Sequence, residues 1–111
     1  MAQHHAAPGE IVRLRPQGAA LRQTQNLTLV RAPDLQVMRL VLLAGKSLPA
    51  HSVPGALTVH CLEGAIEMEA HGSTQRMEAG DLMFVAAGAP HALRGIEDAS
   101  LLVTLLHHRD A

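Results

Sequence analysis

Short apolar runs, cut at a steady interval by glycine, proline and acidic residues, set the pattern of this chain. From residue 57 onward the runs cover 57–62, 65–70, 74–77, 82–85, 91–94 and 101–106. Glu63 and Gly64, Gly72 and Ser73, Gly80 and Asp81, Gly88 to Pro90, and Glu97 and Asp98 stand between them. Strand-sized pieces with a turn signal every ~8–12 residues predict an all-β sandwich or barrel. Upstream, residues 11–15 alternate apolar and charged side chains and stop at Pro16, which predicts a short strand. Residues 27–31 predict another, closed by Pro33, and residues 35–44 are apolar up to Gly45. The stretch 45–55 carries Pro49 and Pro54 and reads as a loop, and residues 1–9 read as a flexible tail ahead of one domain spanning 10–111.

Two segments read two ways on periodicity. Residues 34–45 have an Asp34 cap and a Gly45 stop, as a helix would, yet are apolar enough for a strand. Residues 96–110 contain neither glycine nor proline, and 101–106 suits a buried strand or a buried helix. The chain shows no internal repeat.

Composition narrows the function classes. The chain has 111 residues, 48% of them hydrophobic, enough for one core without disulfides. A net charge of −1 leaves no basic surplus for phosphates, and the absence of Tyr and Trp leaves nothing for bases to stack on. Both argue against a nucleic-acid partner. Cys61 is the lone cysteine, which excludes an intrachain disulfide and a zinc ribbon. No apolar run reaches the ~20 residues of a membrane span. Residues 1–10 lack the basic and apolar regions of a secretory signal, so a cytoplasmic protein without membrane contact is the expectation. Eight histidines against one aromatic residue, Phe84, turn attention to metal chemistry.

The stretch 45–95 gives those histidines a frame. Gly45 is followed by His51 and, after an apolar run, by Gly64; later come Gly80, Gly88 and His91. In this arrangement the chain resembles a small single-domain cupin of the RmlC-like superfamily. The first cupin motif runs from a glycine through two histidines and a glutamate to a closing glycine. The second runs from a glycine through a proline, a glycine and a histidine to an asparagine. Gly45, His51, Gly64, Gly80, Gly88 and His91 match. Val53 stands at the second histidine, Leu57 at the glutamate, Ala86 at the proline and Gly95 at the asparagine. The resemblance implies a single cupin β-barrel, jelly-roll-like, of two antiparallel sheets, and tips both ambiguous segments towards strands.

The same resemblance implies a divalent metal (Fe, Ni, Mn or Zn) held by three histidines and a glutamate. Valine and leucine cannot coordinate, so His51 and His91 alone remain at ligand positions and the metal motif is incomplete. His60 is the nearest substitute. Strand alternation, however, gives it the face opposite Leu57, Val59 and Cys61, outward among apolar neighbours. Cys61 shares the inward parity, and with His51, His91 and Met83 it is a candidate ligand-binding residue of an apolar cavity. Met38, Met68 and Met77 read as core filler beside Met83. His4, His5, His107 and His108 read as solvated ends, and His71 as a hairpin-turn residue. A stray metal on the adjacent terminal histidines is the alternative. Glu67 and Glu69 read as a solvated strand face. Arg39 and Arg94 read as surface residues, with pairing to an anionic ligand as the alternative.

The resulting expectation is a small-molecule-binding protein with a degenerate metal site, taking a polar or anionic ligand. A metal-dependent dioxygenase or isomerase and a structural or regulatory protein are the alternatives. A homodimer is the expected assembly, built on the apolar amino-terminal strands at low charge.

Overall fold

The computed structural model describes residues 4–107. Among them, nine strands follow one 3-10 helix, Gly18–Gln23: β1 Leu27–Arg31, β2 Leu35–Leu42, β3 Ser47–His51, β4 Leu57–Glu63, β5 Ala65–Ala70, β6 Ser73–Glu78, β7 Leu82–Val85, β8 His91–Gly95 and β9 Ala99–Leu106. They form two antiparallel sheets in the orders β1-β2-β9-β4-β7 and β3-β8-β5-β6. Alternation places the core. Leu57, Val59 and Cys61 of β4, Ile66 and Met68 of β5, and Leu101 and Val103 of β9 are buried and form one cluster between the sheets.

Both ambiguous segments are strands. β2 pairs with β9 along its whole length, from Leu35 opposite Leu106 to Leu42 opposite Ala99. β9 also pairs with β4, so it lies at the centre of the five-stranded sheet. A helix at 35–42 would leave β9 with a bare edge, and one at 99–106 would leave bare edges on both β2 and β4.

Two expectations are corrected. The supposed loop 45–55 contains β3, an exposed edge strand paired with β8 alone and shifted in register between Leu48 and His51. An edge tolerates Pro49 because one side of the ladder is free. Residues 11–15 are not a strand. Their alternation meets no sheet, and Ile11 and Val12 stay exposed. Ahead of them, the Ala6 amide donates to the Leu29 carbonyl at 2.8 Å.

The segment after residue 11 is held instead by a buried polar cluster. Met38 and Leu40 pack against the core, so Arg39 between them takes the outer face. It is nonetheless only 4% exposed. Its Nη2 donates to the Arg15 carbonyl at 2.7 Å, to Glu63 Oε2 at 3.1 Å and to Ser100 Oγ at 3.1 Å. Glu63 also accepts the Ser100 hydroxyl at 2.6 Å and the amides of Gln17 and Gly18 at 3.0 and 3.1 Å. Burial pushes the Glu63 carboxyl up. The hydrogen bonds from Ser100, Gln17 and Gly18, with the Arg39 charge, outweigh that and hold it below the usual carboxylate range.

Two glycines are fixed by close backbone approach. A Cβ on Gly64, whose φ is +79°, would sit 2.1 Å from the Asp98 carbonyl oxygen. A Cβ on Gly95 would sit 2.2 Å from the Leu43 carbonyl oxygen. Gly95 also exchanges hydrogen bonds with the turn at 45–46: its amide donates to Lys46 O at 2.8 Å, and its carbonyl accepts from Gly45 at 2.9 Å.

Two outcomes follow from this packing. Gly95→Asn, which restores the cupin motif residue, is expected to lose about 3 kcal/mol or more in urea denaturation, because backbone must move to admit any Cβ. A loss under about 1 kcal/mol contradicts the close approach. Glu63→Ala is expected to cost about 3 kcal/mol near neutral pH, since it strands the Arg39 charge in a buried site. Because folding lowers the Glu63 pKa, its stabilisation is complete above the unfolded carboxyl value of about 4.3 and fades as pH falls through the lower folded value. The gap between wild type and Glu63→Ala therefore narrows in acid. An equal gap at about pH 7 and about pH 3 contradicts this.

Candidate functional site

The antiparallel pairing of β3 with β8 sets His51 opposite His91. Their ring centroids are 4.4 Å apart with planes inclined by 56°. His91 is 4% exposed, while His51 lies exposed on the edge strand. Each Nδ1 faces the carbonyl oxygen two residues earlier: Pro49 O at 3.3 Å for His51 and Ala89 O at 3.1 Å for His91. A carbonyl only accepts, so each Nδ1 carries the proton in these contacts. In the neutral form of a ring so placed, the lone pair is left on Nε2.

An open cleft of about 560 Å³ adjoins His91, between the tip of the β5–β6 hairpin and the start of β8. Its walls are mostly small side chains, among them Ala50, Ala70, Ala89 and Ala92, with Glu69 and His71 bringing polar chemistry. His71 and Gly72 form the two-residue turn of the hairpin with φ values of +51° and +77°. That geometry is the type I′ pattern, and histidine is one of the few side chains enriched there. His71 Nε2 accepts the Ala86 amide at 3.2 Å.

The remaining candidates lie elsewhere. Val53 and Leu57, at the missing ligand positions, pack on and within the core. His60 follows the alternation and takes the face opposite Leu57, Val59 and Cys61. Cys61 is fully buried, its thiol directed at the carbonyls of Glu63 at 3.5 Å and Gly64 at 3.7 Å. Burial pushes that thiol up, away from the thiolate a metal requires. Met83 packs against the core and borders a separate depression with Leu82 and Phe84. The cleft beside His91 thus gathers neither His60, Cys61 nor Met83.

Met68 and Met77 are buried core, with Met38 packed against it. Arg39 is not the expected surface residue: its charge is consumed by Glu63, which removes it as a partner for an anionic ligand. Phe84 does not line the interior but is 63% exposed. Arg94 is exposed and pairs with Glu67 at 3.4 Å. His4 pairs with Glu10 at 2.7 Å, His5 is half-buried, and the His107 amide donates to Asp34 O. His108 lies outside the described residues.

These residues do not fit the four-ligand centre that the motif resemblance implies. Among the described residues no three His, Cys, Asp or Glu side chains come together as a metal would need. Two imidazoles fall short of the three or four protein donors usual for zinc or non-haem iron. Sequence reasoning placed His71 in its hairpin turn, as found, but gave it no part in the site. Its signal was a histidine where Asn or Asp ordinarily fills the turn.

The comparisons with known proteins agree on the architecture. A family model described as a cupin domain matches residues 38–107. No curated protein matches the chain. A conserved protein of unknown function from Streptococcus pyogenes is 26% identical over 99% of this chain and 98% of its own, with a TM-score of 0.73. A cupin superfamily protein from Desulfitobacterium hafniense is 16% identical over 93% of this chain and 100% of its own, with a TM-score of 0.75. A point mutant of salicylate 1,2-dioxygenase from Pseudoaminobacter salicylatoxidans is 22% identical over 72% of this chain but only 25% of its own, with a TM-score of 0.68.

Proposed function

This chain belongs to the cupin domain family, and from that premise we propose that it binds a small molecule rich in hydrogen-bond donors at the rim of the barrel. The observation that carries this reading is the His51–His91 pair, whose Nδ1 atoms face carbonyls and whose Nε2 lone pairs are left to accept. Hydroxyl and ammonium groups satisfy such acceptors, and Glu69 in the adjoining cleft favours them over an anion. The alanine walls leave room for a compact ligand. A divalent-metal enzyme of dioxygenase or isomerase type would need donors beyond these two, from a substrate or a second protein copy.

We further propose a homodimer through the outer face of the five-stranded sheet. Leu82 and Phe84 on edge strand β7 are 64% and 63% exposed, and Leu106 of β9 is 51% exposed. His60 lies between Leu82 and Leu102 in the cross-strand register. A two-fold axis lets one such patch cover its own copy.

A thermal-shift panel of small polyols, sugars and amines tests the first reading. Hits are expected to raise the melting temperature of wild type and to lose that effect in His51→Ala and His91→Ala. Hits that survive both substitutions, or a stoichiometric metal in untagged protein that is lost on His91→Ala, would overturn it. Sedimentation tests the second: wild type is expected to run as a dimer and the Leu82→Lys, Phe84→Glu double variant as a monomer. A monomeric wild type refutes the interface.

A further inference from the structure

We infer that His71 is a proton-operated latch, which holds the loop leading into His91 when neutral and releases it when protonated. The inference stands whether or not the cleft takes the ligand proposed above.

Among the described residues His71 is the one non-glycine with positive φ. Asparagine or aspartate would satisfy the turn equally well but has a shorter side chain. The imidazole reaches across to the end of β7, where its Nε2 accepts the Ala86 amide at 3.2 Å. Ala86 begins the loop 86–90, made only of alanine, glycine and proline, so the loop has no side-chain donor of its own. Backbone contacts hold part of it: Gly88 N donates to Val53 O at 2.8 Å, and Ala89 N to Ala86 O at 3.1 Å. Two side chains reach this loop among the described residues: His91 Nδ1 faces the Ala89 carbonyl from the start of β8, and His71 binds the Ala86 amide from the β5–β6 hairpin. The loop in turn carries Ala89 and Pro90 into the cleft wall and delivers His91.

An N–H donor can meet Nε2 only while that nitrogen keeps its lone pair, with the ring proton on Nδ1. Protonation puts hydrogen on both nitrogens, and the Ala86 amide then faces a donor instead of an acceptor. The bond is lost, and two N–H groups are left pointing at each other. The ionisable groups sharing the cleft are Glu69 on β5, which favours the protonated ring, and His91 on β8, whose own protonation opposes it. β6 contributes the uncharged Ser73 and Thr74, and the loop contributes none. The cleft wall is therefore pinned at neutral pH and loosened in acid.

The test is a pH titration of the isotopically labelled full chain by nuclear magnetic resonance, from about pH 8 to about pH 5, the range in which histidine changes charge. At the upper end the His71 ring is expected as the Nδ1–H tautomer. As pH falls, the Ala86 amide shift is expected to track the His71 ring. Its hydrogen-exchange protection factor, corrected for intrinsic rate, is expected to drop roughly tenfold. In His71→Asn, which keeps the left-handed turn, the Ala86 resonance is expected to be flat. In His91→Gln the Ala86 response is expected to persist. An Ala86 amide that ignores the His71 titration, a response retained in His71→Asn, or one abolished in His91→Gln overturns the latch.

Discussion

One carboxylate ties together parts of this chain that are far apart in sequence. Glu63 closes β4 at a break in the β4–β9 register and accepts from Ser100 on β9, Arg39 on β2, and the amides that open the 3-10 helix. A half-buried carboxylate is costly unless its lone pairs are filled, and here four donors fill them. The arrangement is not without expense: Arg39 Nε lies buried with no hydrogen-bond partner. What it secures is the placement of the segment before β1. That segment has no ladder of its own at residues 11–17 and gains its position from this cluster. One part of the outer sheet face is thereby closed, while the part bearing Leu82 and Phe84 stays open.

The site has a different logic. In the cupin frame, Val53 and Leu57 occupy positions that would otherwise carry ligands, and both serve packing here. Replacing a glutamate by leucine at an inward strand position exchanges a buried charge for apolar contact, which favours the core and forfeits coordination. His51 and His91 each have a backbone carbonyl facing Nδ1, so the fold itself orients both rings. The edge position of β3 leaves His51 open to solvent, while β8 keeps His91 under cover. One imidazole is therefore held within the fold and the other offered at its margin.

Much of this was legible in the residues, for identifiable reasons. Glycine-punctuated alternation located β4 to β8, because those strands bury one face and turn tightly between. β3 was hidden because an exposed edge strand with a proline has no hydrophobic alternation to display. Residues 11–15 misled in the opposite direction: the alternation is present but no strand edge receives it. Strand parity correctly turned His60 away from Cys61. It could not reveal that Arg39, outward by the same rule, would be covered by a segment folding back over it. Motif spacing brought out His51 and His91. It was silent on His71, whose role arises from a turn meeting a loop fifteen residues away. Contacts of that kind depend on how hairpins lean together, which periodicity does not encode.

The central place of β9 bears on how the chain comes to be folded. β2 and β4 do not touch through their own ladders; each pairs with β9, and β9 leaves the ribosome after both. Without β9, the ladders of this sheet join β1 only to β2 and β4 only to β7, and leave an unpaired edge on β2 and another on β4. Such edges are sticky, and pairings this distant in sequence form slowly. Apart from that last strand, no ladder of the five-stranded sheet joins its two halves. The two ladders of β9 are what make them one sheet.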